Sequence, residues 1–158
     1  MLKITPFLWF DAEAEEAANF YVSLFPNSKI TSTTRYGAGG PGPAGSVMTV
    51  SMDLDGLPVT ALNGGPMYKF TEAISFSVSC EDQAEVDRYW DALTKNGGQE
   101  GPCAWLKDKF GFSWQIVPKA LPRLLGNADP KKSQAAMQAM LKMKKIVIAD
   151  LEAAAKAA

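Results

Sequence analysis

The sequence predicts an α+β fold that consists of two βαβββ modules followed by a C-terminal helical extension. One observation is that a strand, a helix and further strands follow one another twice along the chain. A second is an internal repeat at an offset of 69 residues, at which the apolar stripes of the two helices coincide. A third is the content of 47% hydrophobic residues in 158, which is enough for a substantial core without disulfides or metals. We expect modules at 1–66 and 67–118 and an extension at 119–158, packed as a single compact domain.

The first module is predicted from a strand of aromatic and branched residues that ends at Asp11. Asp is a preferred N-cap residue, and the glutamates that follow Asp11 complement a helix dipole. An apolar stripe continues this helix to Phe25, and Pro26 stops it. Asp55-Gly56, between two alternating segments, predicts a tight hairpin turn. The predicted elements are strands at 3–10, 28–36, 46–54 and 57–62, and a helix at 11–25.

The segment 37–45 contains five glycines and two prolines and is predicted to be a loop, because no regular element tolerates that composition. Two interpretations remain open. The loop is a plain hairpin connection, or it is a lid over a pocket.

The second module repeats this order after a break at 63–66. Asp82 is the candidate N-cap of its helix, and Asn96-Gly97 ends it. The turn at 107–111 is interpreted as a solvated turn, with anion contact by Lys107-Asp108-Lys109 as the alternative. The predicted strands are 73–79, 99–105 and 112–117. At the offset of 69, five residues of the first helical region (Ala17, Phe20, Tyr21, Leu24, Asn27) align with Val86, Tyr89, Trp90, Leu93 and Asn96.

The C-terminal extension is predicted to contain a short helix at 121–125 and then one long helix. Asp129 is its candidate cap, with Pro130 at the first helical position. Apolar residues form a stripe along one face of this long helix, which favours packing against a sheet. A dimer contact and a membrane-surface helix are the alternatives. Its members are Ala136, Met140, Met143, Val147 and Leu151.

The composition of the chain excludes several classes of partner and catalytic mechanism. Sixteen Lys and Arg against 17 Asp and Glu give a net charge of −1, which favours neither nucleic acid nor anionic lipid as a partner. The count of zero histidines excludes Ser-His-Asp and Cys-His catalysis and imidazole metal ligands. Two separated cysteines, no secretory signal and no apolar run of bilayer length predict a reduced, cytoplasmic protein without a membrane anchor.

The chain resembles, essentially end to end, the PhnB-like branch of the vicinal oxygen chelate superfamily, which has the glyoxalase and bleomycin-resistance fold. Members of this branch have often been labelled 3-demethylubiquinone-9 3-methyltransferase. That label alone does not predict methyl transfer, since the glycines at 37–45 lie between two strands rather than between a strand and a helix. The resemblance rests on FLWFD at 7–11, AEEA at 14–17 with NFY at 19–21, FPNS at 25–28, ALNGGP at 61–66, EAISF at 72–76, WLKDK at 105–109 and SWQIVP at 113–118.

The resemblance implies a cavity between the modules, which in metal-using members carries a divalent ion on His and Glu residues. At the corresponding positions this sequence has Ala73 in the fifth strand and Gln115 in the last strand, and none of these ligands in the first strand. A site without imidazole or carboxylate binds transition metals poorly. We therefore expect no cofactor and no divalent metal. The resemblance also implies a homodimer.

Four residues are candidates for binding a ligand in that cavity. Trp9 and Trp105 can stack on an aromatic or apolar molecule, with core packing as the alternative. Asn63 offers an amide at the end of the fourth strand, or it simply forms a turn with Gly64. Gln115 lies opposite its two apolar neighbours, either facing the cavity or as a core or solvent-facing amide.

Two residues are candidates for chemistry. Glu72 is the best-placed general base if the cavity raises its pKa, and otherwise is a solvated loop acid. Cys103 is a ligand contact or thiol nucleophile at the pocket mouth, or an inert thiol.

Three functions follow as hypotheses. The first is a metal-independent protein that encloses a small, partly apolar or aromatic molecule. The second is a lyase, isomerase or transferase acting on a small oxygenated metabolite through Glu72 or a recruited divalent metal. The third is a purely structural or interaction role.

Overall fold

The computed structural model describes residues 2–158 and contains two compact units. The first unit ends at Phe70, and the second spans Thr71–Ala158. Each contains one four-stranded mixed sheet and a helix between its first two strands, and three further helices follow in the second unit. The predicted α+β class, the two βαβββ modules and the C-terminal helical segment are confirmed.

The first unit has the sheet order β1-β4-β3-β2, with β1 parallel to β4 and the other pairs antiparallel. The ladder begins after Pro6, four residues later than predicted, and Pro6 has no N–H to donate to it. Its core contains Val50, Met52 and Ala61 from the sheet and Tyr21 from the helix. The elements are β1 (Phe7–Phe10), α1 (Ala14–Leu24), β2 (Lys29–Arg35), β3 (Val47–Leu54) and β4 (Leu57–Asn63).

Asp11 is not the N-cap of α1, contrary to the prediction. Glu13 is in that position and makes no side-chain cap hydrogen bond. The N–H of Ala14 donates instead to Oδ1 of Asn63, at 2.8 Å. A residue 49 positions away in the sequence therefore caps the helix.

The first unit contains the two connections that the sequence predicts, a tight turn at 55–56 and a loop at 37–45. Asp55 and Gly56 both have positive φ, 49° and 92°, and join β3 to β4 as the predicted tight turn. The loop 37–45 joins β2 to β3 and lies against Tyr36, whose ring carbons would be 2.5 Å from a Cβ at Gly42.

The second unit repeats the arrangement with the order β5-β8-β7-β6. Asp82 caps α2 as predicted by accepting from the N–H of Glu85 at 2.9 Å. The helices α1 and α2 begin 69 residues apart, and Asn27 and Asn96 follow them with left-handed φ values of 51° and 55°. The repeat is thus present in the backbone. The elements are β5 (Phe76–Cys80), α2 (Gln83–Thr94), β6 (Gln99–Glu100), β7 (Trp105–Lys107) and β8 (Ser113–Pro118).

The prediction of one continuous strand at 99–105 is wrong, because the chain leaves the sheet between residues 100 and 105. Cys103 and Ala104 have φ values of 55° and 76°, which lie outside the β region of extended strands. They separate a two-residue β6 from β7. Their N–H groups donate to the carbonyls of Met143 and Lys144, both at 2.9 Å.

The prediction of a single long C-terminal helix is also wrong. The segment contains α3 (Ala120–Leu125), α4 (Pro130–Met140) and α5 (Ile148–Ala157), although Asp129 caps α4 as predicted. The bonds from Cys103 and Ala104 hold the break between α4 and α5, and Ile146 within it is fully buried.

The amide of Gln83 fixes the same break from α2. It donates to the carbonyl of Ile146 at 2.9 Å and accepts from the N–H of Ile148 at 2.8 Å. The predicted stripe is therefore divided between two helices and the segment that joins them. It contributes to a core cluster of Ala104, Leu121, Leu124, Ala136, Ile146, Leu151 and Ala155. Among residues 2–158, no helix combines the length and hydropathy needed to cross a bilayer.

Candidate functional site

The second sheet has one face against α2 and an opposite face that we call the open face. Leu106, Trp114 and Ile116 alternate along β7 and β8 as buried residues on the helix side. The residues between them face the other way, since side chains alternate along a strand.

Two rows of cross-strand neighbours occupy the open face. In one row Trp105 and Ser77 flank Gln115. In the second row, Gln99 and Ser113 flank Lys107. Of the predicted ligand-binding residues, Trp105 and Gln115 are thereby brought together as direct neighbours.

An open pocket of about 570 Å³ lies beside Trp105. Its walls are mostly apolar, and its charged residues are Glu72, Glu100 and Lys107. The lining residues are Glu72, Gln99, Glu100, Gly101, Pro102, Trp105, Leu106, Lys107 and Ser113. The pocket belongs entirely to the second unit.

The Gln115 amide is held by a serine. Its Nε2 donates to the hydroxyl of Ser75 at 3.0 Å. Ala73, the predicted counterpart of a metal-binding histidine, lies before the first residue of β5. The β5-side neighbours of Gln115 are instead two serines, Ser75 and Ser77. Within residues 2–158, no three His, Cys, Asp or Glu side chains converge as a metal-binding group. The side chains at this position are one amide and two serine hydroxyls, which are poor ligands for a transition metal.

Glu72 forms an ion pair with Lys107. The hydrogen bond from Lys107 lowers the pKa of the Glu72 carboxyl below its usual value. This direction is opposite to the one that the general-base hypothesis requires, because a stronger acid is a weaker base.

Cys103 is half-buried and contacts the C-terminal segment rather than the pocket. Its Sγ is 3.7 Å from the carbonyl oxygen of Met140. The other thiol, Cys80, is buried, and desolvation raises its pKa to about 12. Neither geometry provides an activated nucleophile.

Trp9 and Asn63 lie on opposite faces of the first sheet, although both were predicted to line one cavity. Asn63 is paired with Phe10, so its side chain is on the α1 side, where it caps Ala14 and donates to the carbonyl of Val47 at 3.2 Å. Its amide is therefore used in the fold. Trp9 is half-buried and donates from Nε1 to the carbonyl of Gly65 at 2.9 Å.

Asp108 is the main residue whose environment the sequence analysis missed. It is 2% exposed, not part of a solvated turn. Its carboxylate accepts from the N–H groups of Phe110 and Phe112 and from Nε1 of Trp114. These bonds fix the turn between β7 and β8. The available signal was the tendency of Asp to bond the backbone N–H two residues ahead.

Comparisons with known proteins agree with this architecture. Residues 2–117 match the sequence model of the family described as 3-demethylubiquinone-9 3-methyltransferase. The structure of a PhnB protein from Bacillus cereus is 37% identical, covers 74% of this chain and 99% of its own, and has a TM-score of 0.66. No protein with a curated description matches the chain.

More distant structures share the fold alone. PA1353 from Pseudomonas aeruginosa is 22% identical over 75% of this chain and 98% of its own, with a TM-score of 0.60. The fosfomycin resistance protein FosX from Mesorhizobium loti is 12% identical over 80% of this chain and all of its own, with a TM-score of 0.55. The chain belongs to the family described as 3-demethylubiquinone-9 3-methyltransferase, of which the PhnB protein from Bacillus cereus is a similar solved structure.

Proposed function

We propose that the protein binds a small, partly apolar or aromatic molecule on the open face of its second sheet, without a resident metal. The observation that carries this proposal is the pocket of about 570 Å³ beside Trp105. Small-molecule sites have volumes of about 300–1,000 Å³ and are lined mainly by apolar groups with a few polar ones. Trp105 supplies the apolar surface, and Gln115 is the neighbouring hydrogen-bonding group.

The enzyme hypothesis has weaker support. Glu72 is paired with Lys107, which lowers its pKa, and the residues around Gln115 are serines rather than metal ligands. We also do not propose methyl transfer from the family description. The glycine-rich segment at 37–45 joins two antiparallel strands, whereas adenosyl cofactors are usually held at a glycine-rich turn from a strand into a helix.

The proposal is tested by titrating ¹⁵N-labelled protein with a set of small aromatic and aliphatic compounds. Binders are expected to shift the backbone amide signals of Trp105 and Gln115. The variant Trp105→Leu is expected to weaken binding about tenfold through lost aromatic contact. Leu141→Ala, an exposed residue of the C-terminal segment, is the matched control and is expected to bind as the wild type does.

Two results would contradict the proposal. One is a set of compounds that never perturbs the open face. The other is binding there that requires an added divalent metal, which would favour the enzyme hypothesis.

A further inference from the structure

One polar group in the pocket wall has no partner. The hydroxyl of Ser113 is the only buried side-chain nitrogen or oxygen atom within residues 2–158 that makes no hydrogen bond. Ser113 is 1% exposed and lines the pocket beside Trp105. Because buried polar groups are nearly always satisfied, an orphaned hydroxyl at a pocket indicates a place where a ligand atom completes the bond.

A cation lies directly opposite this hydroxyl. Lys107 is the antiparallel partner of Ser113, which places the two side chains next to each other on the open face. Lys107 also lines the pocket, and its side chain is only partly exposed. An ammonium and a hydroxyl at adjacent positions are donors suited to one oxyanion.

The Lys107 ammonium is already paired with a carboxylate of the chain. Glu72, from the segment before β5, pairs with Lys107. Its side chain is largely exposed, and exposed ion pairs contribute little to stability. A ligand carboxylate can therefore replace Glu72 at Lys107 at small cost.

We infer that Lys107 and Ser113 form a carboxylate subsite, and that the ligand of the pocket is an aromatic or apolar carboxylic acid for which Glu72 is the internal stand-in. Trp105 is two residues from Lys107 on the same strand and face, about 6–7 Å along the strand. A ring against Trp105 and an acid group at Lys107 are thus within reach of one small molecule. This inference rests on the proposed function and names its ligand class.

The test compares benzoate with benzamide, which has the same ring but no charge, by the shifts of the Trp105 and Ser113 amide signals. Benzoate is expected to bind about tenfold more tightly than benzamide to the wild type, as a charge-assisted bond provides. Lys107→Met is expected to remove that difference, and Ser113→Ala to reduce it. Glu72→Gln is expected to strengthen benzoate binding several-fold, because it removes the competing carboxylate.

Glu81 and Lys119 provide the matched control, since they form a second exposed ion pair in the same unit but outside this pocket. Glu81→Gln and Lys119→Met are expected to leave both affinities unchanged. Equal binding of the two probes, no binding of benzoate, or benzoate binding that Lys107→Met leaves unchanged would overturn the carboxylate subsite. Benzamide that still shifts Trp105 in those cases would leave the proposed function standing.

Discussion

Removing the Asp108 carboxylate is expected to destabilise the second unit strongly. The side chain is 2% exposed, and it accepts from Phe110 N at 2.9 Å, Phe112 N at 3.1 Å and Trp114 Nε1 at 2.9 Å. A hydrogen bond to a charged group contributes about 1.5–3 kcal/mol, and a buried donor left without its acceptor adds a desolvation penalty. Because the lost bonds share one residue and are not additive, we expect Asp108→Ala to lower the free energy of unfolding by about 3–5 kcal/mol.

Two further variants test whether the loss comes from the three hydrogen bonds of the buried Asp108 carboxylate or would follow from changing any aspartate at a turn. Asp108→Asn keeps one oxygen acceptor but directs an NH₂ group at a donor, so we expect an intermediate loss of about 2–3 kcal/mol. Asp53→Ala is the control, because Asp53 accepts from a single backbone N–H, that of Gly56, at 2.6 Å in a half-exposed turn. Its expected loss is about 1 kcal/mol.

The assay is equilibrium urea unfolding followed by circular dichroism, which does not depend on the Trp114 indole that Asp108 contacts. A loss below about 1 kcal/mol for Asp108→Ala, equal to that of Asp53→Ala, would refute the assignment of a buried three-bond anchor. The prediction bears on the site as well. Lys107 and Ser113 lie at the two ends of the turn that Asp108 fixes, so the variant is expected to weaken benzoate binding by displacing both.

Three other predictions follow from the structure. Gln83→Ala removes the amide that holds the break between α4 and α5, and is expected to lower the free energy of unfolding by about 2 kcal/mol, while the exposed Gln138→Ala leaves it unchanged in the same urea assay. Cys80, whose pKa burial raises to about 12, is expected to react with a thiol reagent at pH 8 far more slowly than Cys103, and equal rates measured by mass spectrometry would contradict its burial. A hydrogen bond from Gln83 and a lysine ion pair lower the pKa of Asp87, so its stabilisation is present at neutral pH and is lost as the pH falls through that lowered pKa. Asp87→Asn is expected to be about 0.5 kcal/mol less stable at pH 7 and equal to the wild type near pH 2, and a constant difference in unfolding free energy across that range would argue against the shift.

Local patterns predicted the elements that local interactions form. The stripe of Val86, Tyr89, Trp90 and Leu93 is buried as its helical spacing indicates, and Asp82 caps that helix within its own first turn. Gln115 lies on the face opposite to its buried neighbours Trp114 and Ile116, as the alternation along the last strand predicts.

The features that the sequence did not predict depend on partners far away in the chain. The break after α4 is held by Gln83, Cys103 and Ala104, and Asn63 caps a helix 49 residues earlier. Neither the hydrophobic periodicity of a segment nor the secondary-structure propensity of its residues predicts such long-range bonds. The burial of Asp108 was missed for a different reason: its partners are local, but the two flanking lysines are typical of a charged, solvated turn.

The central claim, a small organic ligand on the open face without a resident metal, is tested most directly by native mass spectrometry of the untagged protein as purified. We expect a stoichiometric organic mass or an unmodified chain mass, no metal increment, and an added mass of one benzoate per chain at millimolar benzoate that Lys107→Met abolishes. The same spectrum tests the expected homodimer. A stoichiometric divalent metal that remains with the folded protein would contradict the account and would favour metal-dependent catalysis instead.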